Sequence, residues 1–301
     1  MVKSDPPKNL PREGEVVLDH IGHFVADAAA CAEALEAAGF TVTPYSAQVV
    51  PDPETGEPKL TGTGNVCVML GSGYLEFLVH TADTPIGIEF NEALARRAGL
   101  HLAAFAVPDA EATHAALADA GWPMRPLARF SRTVGTEDGE MTARFTVARL
   151  EKGTMPEGRI QLLTHHDEAA IWQPRWMHHD NTAAALTGMT IAAPDPAEAA
   201  ARYARLFGRP AEATAAGHAV RLDRGVLTFV GEAAGAHLAG RIVEPGQPMI
   251  AAYSITVADM ERARDAFARA GLAIGEGDGA FIVRFPEALG LGLWIVHPAR
   301  D

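Results

Sequence analysis

Long apolar runs are missing from this chain. No stretch approaches the roughly 18 apolar residues that a membrane-spanning helix requires, so no such helix is expected. Cysteine is scarce. Cys31 and Cys67 fall in an expected helix and an expected strand. They read as small buried apolar residues of a reducing compartment, not as a disulfide framework. Positive charge is in deficit, with 25 Lys and Arg against 38 Asp and Glu and a formal net charge of −13. That balance repels nucleic acid and anionic membranes. It does not bear on a small-molecule substrate in a buried cavity, where local charges decide. The opening MVKSDPPKNLPREGE has no apolar core and does not read as a secretion signal. A loose arm over 1–16 and a cytoplasmic location are expected. A GxSxG elbow, a CxxC pair, an HExxH helix and a dinucleotide fingerprint are all lacking. The turn-like GTGN at Gly62–Asn65 lacks the lysine and following helix of a phosphate loop.

What the chain does have is a repeat. A strand-like run ending in Asp, then an Ala-rich helical stretch closed by Gly, occurs four times, from Leu18, Leu100, Leu186 and Ile250. The first strands of copies one and two carry His20 and His101, read here as matching positions. Copies three and four have Gly188 and Ala252 there. The pattern suggests one working pair and one structural pair.

Helices are expected over 28–38, 111–120, 197–206 and 260–270, with Gly39 and Gly121 ending the first two in the left-handed conformation. Strands are expected over 41–45, 65–70 and 73–80 in copy one, and over 124–130, 142–150 and 159–164 in copy two. Each copy is therefore a βαβββ unit. A connector with a helix over 89–98 joins copies one and two. The connector 165–185 holds Trp172, Trp176, His178 and His179 and reads as a bridge between domains, with a cover over the site as the alternative. The segment 231–248 is rich in Gly and Pro.

Strand parity sorts the remaining side chains. Tyr74 shares a face with Glu76, His165 with Gln161, Phe24 with His20, and Phe105 with His101. Tyr74, Phe24, Phe105 and His165 are thus candidate substrate contacts. Arg129, Arg132, Arg144 and Arg149 cluster in copy two and read as exposed charges, with the alternative that one or two face the cavity and bind a carboxylate or enolate through the planar guanidinium.

The Asp19–His20 pattern, GTGNVCVMLGSGYLEF, GLHLAAF and GRIQLLTHH resemble the vicinal oxygen chelate superfamily, from Val17 to His297. The resemblance extends to glyoxalase-like proteins in which a segment similar to HHDEAAIWQPRWMHHDN comes after the first domain. It implies an α+β fold of four βαβββ modules paired into two glyoxalase/bleomycin-resistance/dioxygenase-type domains. These would be 17–165 with the site, a linker over 166–185, and a degenerate second domain over 186–301. It also implies a divalent metal (Zn, Ni, Co, Mn or Fe) on His20, Glu76, His101 and Gln161, with Glu76 as the catalytic carboxylate. The implied reaction is that of a glyoxalase-like lyase or isomerase on vicinal oxygens. An extradiol-type dioxygenase and a metal-free binding protein are the alternatives. In the second domain the matching places are Gly188, Thr228, Ala251 or Ala252, and Trp294, which rebuild no metal site. That domain reads as a stabiliser, a cover for the cavity or a homodimer contact.

Overall fold

The computed structural model describes residues 9–52, 54–231, 234 and 246–299. Most of the Gly/Pro-rich segment and the first eight residues of the expected arm lie outside the described residues. Module one comprises β1 (Val17–Phe24), α1 (Ala28–Ala37), β2 (Ser46–Pro51), β3 (Pro58–Met69) and β4 (Tyr74–His80). After α2 (Pro85–Arg96), module two comprises β5 (Gly99–Ala106), α3 (Ala110–Asp119), β6 (Ala128–Thr136), β7 (Gly139–Arg149) and β8 (Arg159–His165). The next connector holds α4 (Glu168–Ile171). Module three has β9 (Ala183–Ala193), α5 (Pro196–Phe207), β10 (Ala211–Thr214), β11 (Gly217–Arg221) and β12 (Val226–Gly231). Module four has β13 (Met249–Val257), α6 (Met260–Arg269), β14 (Ile274–Gly277), β15 (Ala280–Arg284) and β16 (Leu293–Pro298).

One local code builds all four modules. The Asp after each first strand caps the module helix. Asp27, Asp109, Asp195 and Asp259 each accept backbone N–H bonds from the first helical turn, which satisfies donors that the helix leaves open. Beyond each helix a glycine turns back with positive φ, at Gly39, Gly121, Gly208 and Gly271. Two middle strands begin later than expected. Thr41 and Thr43 are taken up by other partners: the Thr41 amide donates to His179 Nδ1, and the Thr43 amide to the Cys67 carbonyl. β6 starts beyond Pro123 and Pro126, which cannot donate to a ladder. GTGN lies inside β3, not before it.

Modules one and two close into a barrel of order β1-β4-β3-β2-β6-β7-β8-β5. Modules three and four form an eight-stranded sheet of order β10-β11-β12-β9-β13-β16-β15-β14. The two sheets share a core. Phe105 packs on Phe207 at 4.6 Å, and Phe40 on Trp294 at 5.6 Å. His23 is fully buried at this junction, between the Leu289 carbonyl (3.2 Å) and the Tyr253 hydroxyl (3.3 Å). Burial pulls its pKa down to about 3, so it sits there uncharged. Gly99 allows a close approach of the two backbones. A Cβ there would lie 2.4 Å from the Leu291 carbonyl oxygen.

Residues 9–16 are not loose. Asn9 is buried, its amide donating to Glu168 Oε1 (2.7 Å) and its side chain accepting from the Gly73 amide. The Val16 amide donates to Asp223 of module three.

Candidate active site

The β1–β5 pair carries two bulges, and they decide which residues meet. Leu18 faces Phe105 and His20 faces Ala104, so Asp19 is an extra residue. Gly22 faces Leu102 and His23 faces Leu100, so His101 is the extra residue on the other strand. The register is symmetric under exchange of the modules: His20 lies beside Ala104 and Tyr74, and Leu102 lies beside Gly22 and Arg159. The counterpart of His20 is therefore Leu102, while His101 corresponds to Asp19. Glu76, beside Gly22, corresponds to Gln161, beside Ala104.

His20, Tyr74, Glu76 and Gln161 line one cavity of about 90 Å³ inside the barrel, and Leu102 shares it. His101 does not join them. Its Nε2 donates to the Arg97 carbonyl (2.7 Å), its ring stacks on Phe24 at 4.9 Å, and it lines a second cavity. Burial and the nearby Arg97 charge bring its pKa down to about 4. The expected four-residue set is thus reduced to His20, Glu76 and Gln161, because one extra strand residue moves the second histidine out of register. Phe105 is also displaced, to the domain junction against Phe207. Phe24 stacks on Phe90 and borders the second cavity.

Around His20 the hydrogen bonds run in one direction. Its Nδ1 donates to Asp19 Oδ1 at 2.6 Å, and His165 Nε2 donates to Asp19 Oδ2 at 2.9 Å. Burial opposes a charge on Asp19. The two imidazoles outweigh it and hold the carboxyl well below the usual range. With Nδ1 so engaged, His20 turns its Nε2 toward Glu76 Oε2, 3.5 Å away. Two electron-rich atoms facing each other in a buried site call for a proton or a cation between them. Tyr74 stacks on the His20 ring at 4.3 Å. Burial, with Asp19 and Glu76 nearby, raises its hydroxyl pKa well above the ordinary value. His165 lies behind it, edge-on to Trp172 at 4.9 Å.

Glu76 is clamped on one oxygen. Its Oε1 accepts from Asn65 Nδ2 (2.5 Å) and Gln48 Nε2 (3.1 Å), and Asn65 Oδ1 accepts from Arg132 Nη1 (3.1 Å). Reading the sequence missed Asn65, Gln48, Asp19 and Arg159 as site residues. Asp19 had a signal, an acid directly beside the histidine; the others depend on long-range register. Arg132 and Arg149 line the cavity and are not the expected surface charges. Arg129 and Arg144 are, paired with Glu111 (2.9 Å) and Asp167 (2.8 Å). The aromatic connector packs on the barrel. Trp172 closes against His165 and Tyr74, and His179 donates to the Met69 carbonyl.

The donor chemistry fits a divalent ion in a reduced form. One imidazole, one carboxylate and one amide oxygen surround the cavity, and the imidazole is oriented by a carboxylate, as metal-bound histidines are. Leu102 takes the fourth place. Among the described residues no group of three His, Cys, Asp or Glu side chains gathers as a metal cluster. In modules three and four the positions equivalent to His20 and Glu76 are Gly188, Ala252, Thr228 and Ile295. Trp294 lies one residue away, on the opposite face, bonded through Nε1 to Tyr253 Oη (2.6 Å).

No described helix is long and apolar enough to cross a membrane. Residues 18–207 match the model of a family described as a glyoxalase-like domain. No curated protein matches the chain in sequence. Solved structures share the fold. A hypothetical protein from Staphylococcus aureus is 9% identical, with TM-score 0.63 over 94% of this chain and 100% of its own. The Mn(II)-bound glyoxalase from Novosphingobium aromaticivorans is 13% identical, with TM-score 0.52 over 96% of this chain and 84% of its own. A variant of homoprotocatechuate 2,3-dioxygenase from B. fuscum is 12% identical, with TM-score 0.52 over 99% and 75%.

Proposed function

The chain belongs to the glyoxalase-like domain family of the vicinal oxygen chelate superfamily, and we propose that its barrel is a divalent-metal-dependent lyase or isomerase site for a small molecule with vicinal oxygens. The observation that carries this reading is the line Asp19–His20–Glu76, which aims a fixed imidazole nitrogen at a carboxylate across 3.5 Å. His20, Glu76 and Gln161 would hold the ion. Nitrogen and oxygen donors of this kind suit Zn, Ni, Co, Mn or Fe. When bound, the ion supplies Lewis-acid polarisation of adjacent substrate oxygens. The remaining work falls to side chains. Asp19 fixes the His20 tautomer. Asn65 and Gln48 hold Glu76 Oε1, which leaves Oε2 as the oxygen that takes or returns a proton. Leu78, Leu102, Val147 and Leu163 keep the cavity walls apolar.

A ring-cleaving dioxygenase is disfavoured, since a 2-His-1-carboxylate site needs a second imidazole and His101 lines another cavity. The presence of Leu102 favours metal-free binding as the second reading, with a proton between His20 and Glu76. Metal analysis of protein purified without chelator separates the two. One equivalent of metal is expected, lost in His20→Ala and Glu76→Ala and retained in His101→Ala. Metal-free wild type after metal-replete growth would sink the metal reading.

A further inference from the structure

The barrel interior is divided by charge. Module one contributes His20, Asn65 and Glu76. Module two contributes Arg132 from β6, Arg149 from β7 and Arg159 from β8, all lining the same cavity. Register places the last two inward: Arg149 lies beside Gln161, and Arg159 beside Leu102. Glu76 is the one carboxylate among the described residues that line it. The three guanidiniums are not neutralised by it. Arg132 bonds the Asn65 amide oxygen instead of a carboxylate. Arg149 lies over the Phe130 ring at 5.7 Å, and its buried Nε has no hydrogen-bond partner among the described residues. Arg159 lies over Phe24 and comes only within 3.8 Å of Glu89, which Arg125 already grips through two hydrogen bonds of 2.5 and 2.8 Å.

Arg149 and Arg159 also line the second cavity, of about 320 Å³. They stand at the boundary of the two spaces. The second space also holds Glu89 and Glu151, set against Arg96, Arg125 and Lys152, so the positive charge there is in excess. A guanidinium without a dedicated carboxylate is poised for an anion, and its planar fork matches a carboxylate. We propose that the substrate is a small organic acid, its carboxylate on Arg149 and Arg159 and its vicinal oxygens at the His20–Glu76 end. This rests on the proposed metal site for the second half only. The carboxylate dock stands on the arginines alone, and the second cavity gives room for a tail beyond it.

Calorimetric titration tests it with glycolate, lactate, malate and 2-oxoglutarate, each paired with its neutral amide. At least one acid binds about tenfold or more tightly than its amide, the size expected for charged hydrogen bonds. The preference falls with added salt. It drops toward unity in the Arg149→Gln/Arg159→Gln double variant. The matching double Lys variant keeps the charge without the fork and retains part of it, so a fold defect is told from a lost dock. In His20→Ala the affinity falls but the acid-over-amide ratio survives; metal loss there with the ratio intact separates the two proposals. Equal binding of acids and amides, no binding of any acid, or a ratio unmoved by the arginine changes overturns the inference. So does inorganic phosphate binding more tightly than every carboxylate.

Discussion

The barrel and the open sheet are built from the same module, yet among the described residues only the barrel encloses polar chemistry. In the barrel the long strands β3, β6 and β7 extend far enough for β2 to meet β6 at Val49 and Ser131. In the second sheet β10 and β14 have four residues each, and the described strands form an open row. The face matching the cavity carries Ala192, Val230, Met249, Ala251, Ala252 and Leu293 in one apolar cluster. A buried carboxylate is costly unless it is bonded on several sides, as Glu76 is by Asn65 and Gln48. The closed barrel supplies those partners from neighbouring strands. A module without such support keeps its fold with small apolar residues in the same places.

Four measurements bear on this division between the sheets. The largest effect is expected from Trp294→Ala, which should cost about 3–5 kcal/mol by loss of a fully buried aromatic. Urea unfolding would show the loss, while metal content stays at the wild-type level; metal lost in parallel would mean that the sheets do not divide stability from chemistry. Next, Asp19→Asn should weaken metal binding by about 10–100-fold, measured by competition with a chromogenic chelator, and Thr187→Ala at the matching bulge should leave it unchanged. Third is acid. The unfolded chain protonates His23 below its ordinary value of 6.5, whereas the folded chain resists until about 3. Stability contributed by neutral His23 is therefore present above pH 6.5 and falls away between those values. His101, lowered to about 4, adds to the same slope. Melting temperature should drop across this window, less steeply in His23→Gln; equal slopes would argue against the junction as the acid-sensitive element. The smallest change is a gain. Leu102→His should tighten metal binding by placing an imidazole at the position in module two that matches His20, while adding one at Ala103 should not. Equal effects at both positions would refute the register.

Much of the architecture was legible because it is written locally. The Asp caps, the Gly ends and the Ala-rich helices each lie within a few residues of what they control. Tyr74, Glu76 and Gln161 reached the cavity as parity required, since β4 and β8 pair without an irregularity over those residues. Parity failed on β5, where the bulge at His101 changes the facing of the later residues of the strand, so His101 and Phe105 were misplaced together. Which arginines face the interior was hidden for another reason. Arg129 and Arg132 lie on one strand and differ in parity, but which face is inward depends on barrel closure, a pairing between modules that no local pattern records.

The bulge makes each first strand a two-letter label. An unbroken strand presents every second residue to the inside; a bulge offers two consecutive side chains, so a ligand and its support can be neighbours in sequence. The four labels are Asp19–His20, His101–Leu102, Thr187–Gly188 and Ala251–Ala252. Read in order, they pass from a bonded acid and imidazole to two methyl groups. Because the two letters are adjacent, a single substitution can turn a supporting position into a donor, or silence it, without redrawing the sheet around it.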